Sequence, residues 1–162
     1  MKAIGIRARA KKIVYCVVEE KEENGEIYCY IHATEKLIVP QALKMPDRLS
    51  YIRTSFESII KEYGVKNAGI RIAEMSNKVN SSIIERTYLE GVIQELLSNC
   101  SVNKYFSGRK NTAAKLLKTD QKTISSYMDG KTAFYGFEDW NDYSKEEREA
   151  IVIGFASLQI GD

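Results

Sequence analysis

Residues 1–20, MKAIGIRARAKKIVYCVVEE, decide how the rest of the chain is read. Residues 3–8 and 12–20 alternate or run apolar, with Arg9, Ala10 and Lys11 between them, which predicts two antiparallel strands joined by a short turn. KEENGE, residues 21–26, follows and contains Asn24-Gly25, the strongest short-range hairpin signal. It leads into IYCYIHATEKLIVP, so the first forty residues predict a three-stranded meander.

Beyond Pro40 and Pro46 the pattern changes period. Leu49, Ile52, Phe56, Ile59, Ile60 and Tyr63 recur at helical spacing, and Gly64 marks the end of that helix. NAGIRIAEM, residues 67–75, is short and rich in β-branched residues, which predicts a strand. In SNKVNSS the residues Asn80, Ser81 and Ser82 are all suited to cap a helix that turns Ile83, Ile84, Tyr88, Val92, Leu96 and Leu97 inward. Gly91 inside that helix costs about 1 kcal/mol against alanine and is expected to permit a close approach by another element. SVNKYF, residues 101–106, predicts a fifth strand. A final helix is expected from Ser144, a serine cap followed by acidic residues, to Leu158. The order β-β-β-α-β-α-β-α, with an irregular or helical insert at 108–142, predicts a single α/β domain: a five-stranded mixed sheet with helices on both faces.

Composition agrees. The chain has 162 residues, 44% hydrophobic and 28% charged with a net charge of +2, the profile of one globular domain rather than a disordered or fibrous chain. Its apolar runs are far shorter than the roughly 20 residues of a membrane span, and no signal core is evident, so a cytoplasmic protein without a membrane partner is expected. Cys16, Cys29 and Cys100 lack CxxC spacing, which points away from a disulfide framework or zinc site and towards reduced, buried thiols. Cys16 and Cys29 are placed to face each other across the hairpin.

The element order, with IAEM at residues 72–75 and EEREAIVIGFA at 146–156, resembles the RNase H-like superfamily, and within it the RuvC-type Holliday-junction resolvases. That resemblance implies four carboxylates holding two divalent metals: one on the first strand, one at the end of the fourth, two on the last helix. Two metals roughly 4 Å apart clamp the attacking and leaving oxygens of a phosphodiester, and magnesium takes hard oxygen ligands. Carried over, Glu74 takes the fourth-strand position, and Glu146 and Glu149, three apart on one helix face, take the helix positions. The first-strand position falls at Arg7, in GIRARA, and no acid precedes Glu19. A guanidinium cannot ligate a cation and stays protonated, so Arg7 is expected to pair with Glu74 or Glu149 in place of a metal.

A second segment, AAKLLKTDQKTISSYMDGK at 113–131, looks like a helix-turn-helix. Leu117 and Ile124 would pack two crossed helices, leaving Gln121, Lys122, Thr123 and Ser125 near the start of the second to meet bases or phosphates. An ordinary helical insert is the alternative. Lys104 to Lys122 holds six basic residues (Lys104, Arg109, Lys110, Lys115, Lys118, Lys122) against Asp120, and Glu138 to Glu149 holds six acids against Lys145 and Arg148. Lys2, Arg7, Arg9, Lys11 and Lys12 form another basic cluster. Arg9, Lys11, Lys104, Arg109, Lys110, Lys115, Gln121 and Lys122 are the candidate nucleic-acid contacts, with Tyr105 and Phe106 near enough to stack bases.

Other chemistries have less support. His32 has no ligand set around it, and no GxSxG, GxxxxGK or GxGxxG motif is present. The aromatic stretch at 127–143 with the lone Trp140 is expected to pack over the sheet edge or serve as a subunit contact. Three functions follow. The preferred one is a catalytically degenerate, bacterial-type relative that binds DNA or RNA without a cofactor. The others are a Mg2+-dependent nuclease using Glu74, Glu146 and Glu149, and a homodimeric interaction protein that makes no use of nucleic acid.

Overall fold

The computed structural model describes residues 1–74 and 79–161. Strands β1 (Lys2–Ala8), β2 (Lys12–Glu23) and β3 (Glu26–Ile38) form the meander, and Asn24 and Gly25 both take positive φ at its hairpin. Helix α1 (Met45–Tyr63), strand β4 (Asn67–Arg71), helix α2 (Ser81–Asn99) and strand β5 (Lys104–Gly108) follow. Two short helices, α3 (Lys110–Leu116) and α4 (Gln121–Met128), and two 3-10 turns at 134–136 and 140–142 precede α5 (Lys145–Leu158). The sheet order is β3-β2-β1-β4-β5, with β1, β4 and β5 mutually parallel and the meander antiparallel, which is the mixed α/β sheet the sequence predicts.

Strand parity sorts side chains onto two faces. Ile4, Ile6, Ala68 and Ile70 pack with Ile52, Phe56 and Ile60 of α1 and Leu89, Ile93, Leu96 and Leu97 of α2. Ala3, Val14, Cys16 and Val18 face α5 and the insert instead. On that second face Gly5 and Gly69 lie side by side in register, and α5 rests directly on them. A Cβ on Gly5 would run into the backbone of Ala150 and Gly154, and one on Gly69 would sit 2.5 Å from Ser157 Oγ. The absent side chains let α5 settle close to the sheet, which fixes where its first turns meet the strand ends.

Helix boundaries follow local chemistry. Gly64 closes α1 in the left-handed conformation, its N–H and that of Val65 donating to the carbonyls of Lys61 and Ile60. Asn80 caps α2 by accepting from Ile83 N at 2.9 Å, and Ser144 and Glu147 form a reciprocal capping box on α5.

Several expectations are corrected. The fourth strand ends at Arg71, because its ladder to β1 and β5 ends there; Glu74 lies past it in a connection, and Met75 falls outside the described residues. The fifth strand is 104–108, where pairing with Asn67 begins. On α2, Ile84 and Tyr88 are exposed while Leu89 and Ile93 are buried; the inward stripe includes Arg86 and Glu90, whose polarity disguises it. Gly91 is exposed with no neighbour near its missing side chain, so it permits no close approach. Cys16 is buried opposite Thr34 and Cys29 is exposed opposite Glu20, so the two thiols do not face each other. Trp140 is buried in the core beneath α5, donating to Tyr127 O at 2.8 Å beside Phe134 and Phe155, rather than lying over a sheet edge. His32 is the extra residue of a β-bulge, 3.5 Å from Glu19. Among the described residues no helix is long and apolar enough to cross a membrane.

Candidate functional site

β1, β4 and β5 point their carboxyl ends the same way, the edge at which open α/β sheets usually hold ligands. Arg7 is the penultimate residue of β1 and Arg71 the last of β4, directly paired in the ladder and, two residues beyond Gly5 and Gly69, both on the α5 face. Each closes a Gly-Ile-Arg tripeptide, and because those tripeptides pair in register the two guanidiniums lie side by side.

Glu149 sits over them from the second turn of α5. Its Oε2 accepts from Arg7 Nε, and its Oε1 lies 3.8 Å from Arg71 Nη2. All three residues are more than nine-tenths buried: Arg7 is 3% exposed, Arg71 4% and Glu149 2%. Arg7 also donates to the Ala8 carbonyl at 3.3 Å. Burial pulls the Arg7 guanidinium down to about 10, the Glu149 carboxylate opposes that, and the like charges of Arg86, Arg71 and Arg9 add to it. Even so, Arg7 remains protonated at neutral pH.

The remaining predicted carboxylates are also engaged by cations. Glu74, half exposed, meets Arg71 at 3.2 Å rather than Arg7. Glu146 lies 3.3 Å from Arg9 Nε and 4.0 Å from Lys12 Nζ, on the same side of α5 as Glu149 but nearer solvent. Among the described residues no group of three or more His, Cys, Asp or Glu is gathered as metal ligands. The donor set does not fit a divalent cation. Both oxygens of its one deeply buried carboxylate face guanidiniums, and a cation placed there would stand against two fixed positive charges.

Arg71, Arg86 and Glu90 have no part in the sequence-based site. Arg86 Nε donates to Glu90 Oε1 at 2.6 Å, and Glu90 Oε2 accepts from Ala73 N at 3.1 Å, tying α2 to the connection after β4. The repeated Gly-Ile-Arg is the signal that could have revealed Arg71. Arg86 and Glu90, an i,i+4 pair, read in sequence like any solvated helix pair.

The candidate nucleic-acid residues divide. Arg9 and Lys110 line the same cleft as Arg7, Arg71, Glu74 and Glu149, and Arg109 lies beside it, donating to Ala73 O at 2.9 Å. Lys11 is exposed in the β1–β2 turn, next to a larger cavity of about 620 Å³ that also reaches Arg9. Lys115, Gln121 and Lys122 are exposed on α3 and α4. Lys104 begins β5 at the opposite end of the sheet, where its Nζ donates to Gly161 O at 2.7 Å, so the basic run from 104 does not form one continuous patch. The segment resembling a helix-turn-helix does form two helices, with Asp120 capping α4 through Thr123 N at 2.8 Å. Their buried residues Ala113, Ala114, Ile124 and Met128 belong to the core beneath α5.

No protein-family model matches the sequence, and no curated protein matches it. Solved structures do. Thermus thermophilus RuvC superposes with a TM-score of 0.71 at 10% identity over 98% of this chain and 94% of its own. The same protein in complex with a Holliday junction substrate gives 0.69 at 11% identity over the same shares. The yeast mitochondrial Holliday junction resolvase Ydc2 gives 0.59 at 13% identity, over 97% of this chain and 77% of its own. At these identities the likeness is one of architecture, and it extends along nearly the whole chain: the fold is the RNase H-like fold of RuvC and related Holliday junction resolvases.

Proposed function

We propose that the protein is a nucleic-acid-binding member of this architecture whose metal-dependent nuclease centre has been replaced by an internal ion-pair cluster. One observation carries the reading: Glu149, on the helix that would supply two metal ligands, is held between the buried guanidiniums of Arg7 and Arg71. A buried carboxylate already compensated by two cations has little affinity left for magnesium, and releasing it would strand two charges in a low dielectric. Structural likeness to a resolvase bound to a Holliday junction supports DNA as the partner, with contacts from Arg9, Lys11, Arg109, Lys110, Lys115, Gln121 and Lys122.

Calorimetric titration with magnesium tests the degenerate centre. The wild type is expected to give no saturable heat. The sequence alone suggests Arg7→Asp as the restoring change, but Arg71 would still oppose a cation, so Arg7→Asp combined with Arg71→Gln is the variant expected to gain binding. Tight magnesium binding by the wild type, with DNA cleavage abolished by Glu149→Gln, would overturn the proposal and favour the nuclease. Fluorescence anisotropy with four-way junction, duplex and single-stranded DNA tests the partner. Affinity should fall steeply between about 50 and 200 mM salt as phosphate contacts release counterions. An absence of binding at the lower salt would remove nucleic acid from the account.

A further inference from the structure

The cleft at the strand ends encloses about 270 Å³. Six cations line it: Arg7, Arg9, Arg71, Arg86, Lys110 and Lys145. Most are paired. Glu149 and Glu74 offset Arg7 and Arg71, Glu90 offsets Arg86, and Asp129 offsets Lys145. Glu146 is shared between Arg9 and Lys12, which stands beside the cleft rather than in it, and Lys110 has no ion pair among the described residues, so the cleft and Lys12 together leave two positive charges over.

Two of the guanidiniums lining this cleft each keep a donor without an acceptor. Nε of Arg71 and Nη2 of Arg86 are buried and have no hydrogen-bond partner among the described residues, and the Arg71 side chain is only 5% exposed. A buried guanidinium N–H left unsatisfied costs its full desolvation, and a donor with no acceptor among the described residues suits one supplied by a ligand. Water would satisfy the hydrogen bonds and leave the charge. An oxyanion satisfies both, through the charge-assisted bonds that guanidiniums make best.

We infer that this cleft is a metal-independent binding site for a phosphate monoester dianion, held by Arg71, Arg86 and Lys110. Two charges on the ligand match the two left over on the cleft and the neighbouring Lys12. Depth selects a terminal group: reaching Nε of Arg71 requires an end-on approach, whereas a chain-internal phosphodiester carries a single charge and has a sugar on either side. Free phosphate, a nucleotide and a 5′-phosphorylated strand end share this chemistry. The site does not depend on the protein binding nucleic acid through its other surfaces.

The test is calorimetric titration of the whole chain with inorganic phosphate, in EDTA and at constant ionic strength. Saturable one-to-one binding is expected. Lys110→Gln should weaken it about tenfold, the worth of one charge-assisted contact, and Arg71→Gln should remove it. Arg71 is deeply buried and its variant can fail to fold, so the partly exposed Lys110 carries the test, with circular dichroism confirming the fold. Two oligonucleotides of one sequence, with and without a 5′-phosphate, separate the sources. A preference for the phosphorylated strand that Lys110→Gln abolishes assigns the site to strand ends. Phosphate binding without that preference assigns it to free phosphate or a nucleotide. No saturable binding of phosphate, or binding untouched by Lys110→Gln and Arg86→Gln alike, overturns the inference. Oligonucleotides that bind equally well with or without the phosphate, to a protein that shows no saturable binding of inorganic phosphate, leave nucleic-acid binding standing and eliminate this site.

Discussion

The two faces of β1 and β4 are built from the same short strands and do opposite work. Towards α1 and α2 they present Ile4, Ile6, Ala68 and Ile70, an ordinary apolar layer. Towards α5 they present glycine and then arginine, Gly5 and Arg7 beside Gly69 and Arg71. The first face is held by apolar area removed from water, at about 25 cal/mol per Å². The second draws α5 against bare backbone and places its carboxylate over two cations, so its stability rests on charge compensation and close approach. A face of the first kind tolerates small changes in volume. A face of the second kind tolerates almost none, and the arginine-lined cleft lies at its end.

The largest expected effect comes from breaking the compensation. Glu149→Ala leaves Arg7 and Arg71 buried without their shared carboxylate and should cost about 3–5 kcal/mol in denaturant unfolding. A loss below 1 kcal/mol would mean that the guanidiniums readily find water, and the contrast between faces would fail. Next is Gly5→Ala, whose methyl would meet the backbone of α5 and not a movable side chain. A loss of about 1–3 kcal/mol is expected, against about 0.5–1.5 for Ile6→Val on the opposite face. The sharpest form of the comparison replaces the cluster whole. Arg7→Met, Arg71→Met and Glu149→Leu together should return stability to within about 2 kcal/mol of wild type, because a buried ion-pair group is often no more stabilising than apolar residues of similar volume. The same triple variant should lose phosphate binding. If stability returned and phosphate still bound, the anion would lie elsewhere.

Much of this was legible in the sequence. The meander, the helix stop at Gly64, the caps at Asn80 and Ser144 and the alternation of later elements are local signals, written in residues that act on their immediate neighbours. The anomaly at Arg7 was legible too, because a cation in a strand where the resemblance implies a metal ligand is a conflict visible in one residue. Arg71 was hidden because its meaning is tertiary: it matters only once β4 pairs with β1 in the register that sets Gly69 beside Gly5. The inward face of α2 was misread for a related reason. Arg86 and Glu90 neutralise each other in the interior, so charge no longer marks the outside, and Ile84 and Tyr88 sit exposed in compensation. Gly91 and Trp140 carry no local information about what they touch.

The smallest effect concerns Glu146, three residues before Glu149 on the same helix and nearer solvent. Burial pushes its carboxyl up, but the hydrogen bond from its own backbone N–H and the charges of Lys12 and Arg9 outweigh that, and the group ends below the ordinary carboxylate range. A carboxyl lowered on folding adds stability above its unfolded value, and the contribution disappears as pH falls through the folded one. With Arg9 and Lys12 substantially exposed, the pair should be worth only about 0.2–1 kcal/mol. Glu146→Gln is therefore expected to be slightly less stable than wild type at neutral pH, and the gap should close as pH drops below about 4. A gap as large as that of Glu149→Ala, or one that widens in acid, would show that solvent does not screen this end of α5, and the division between a buried charge cluster and an exposed one would have to be redrawn.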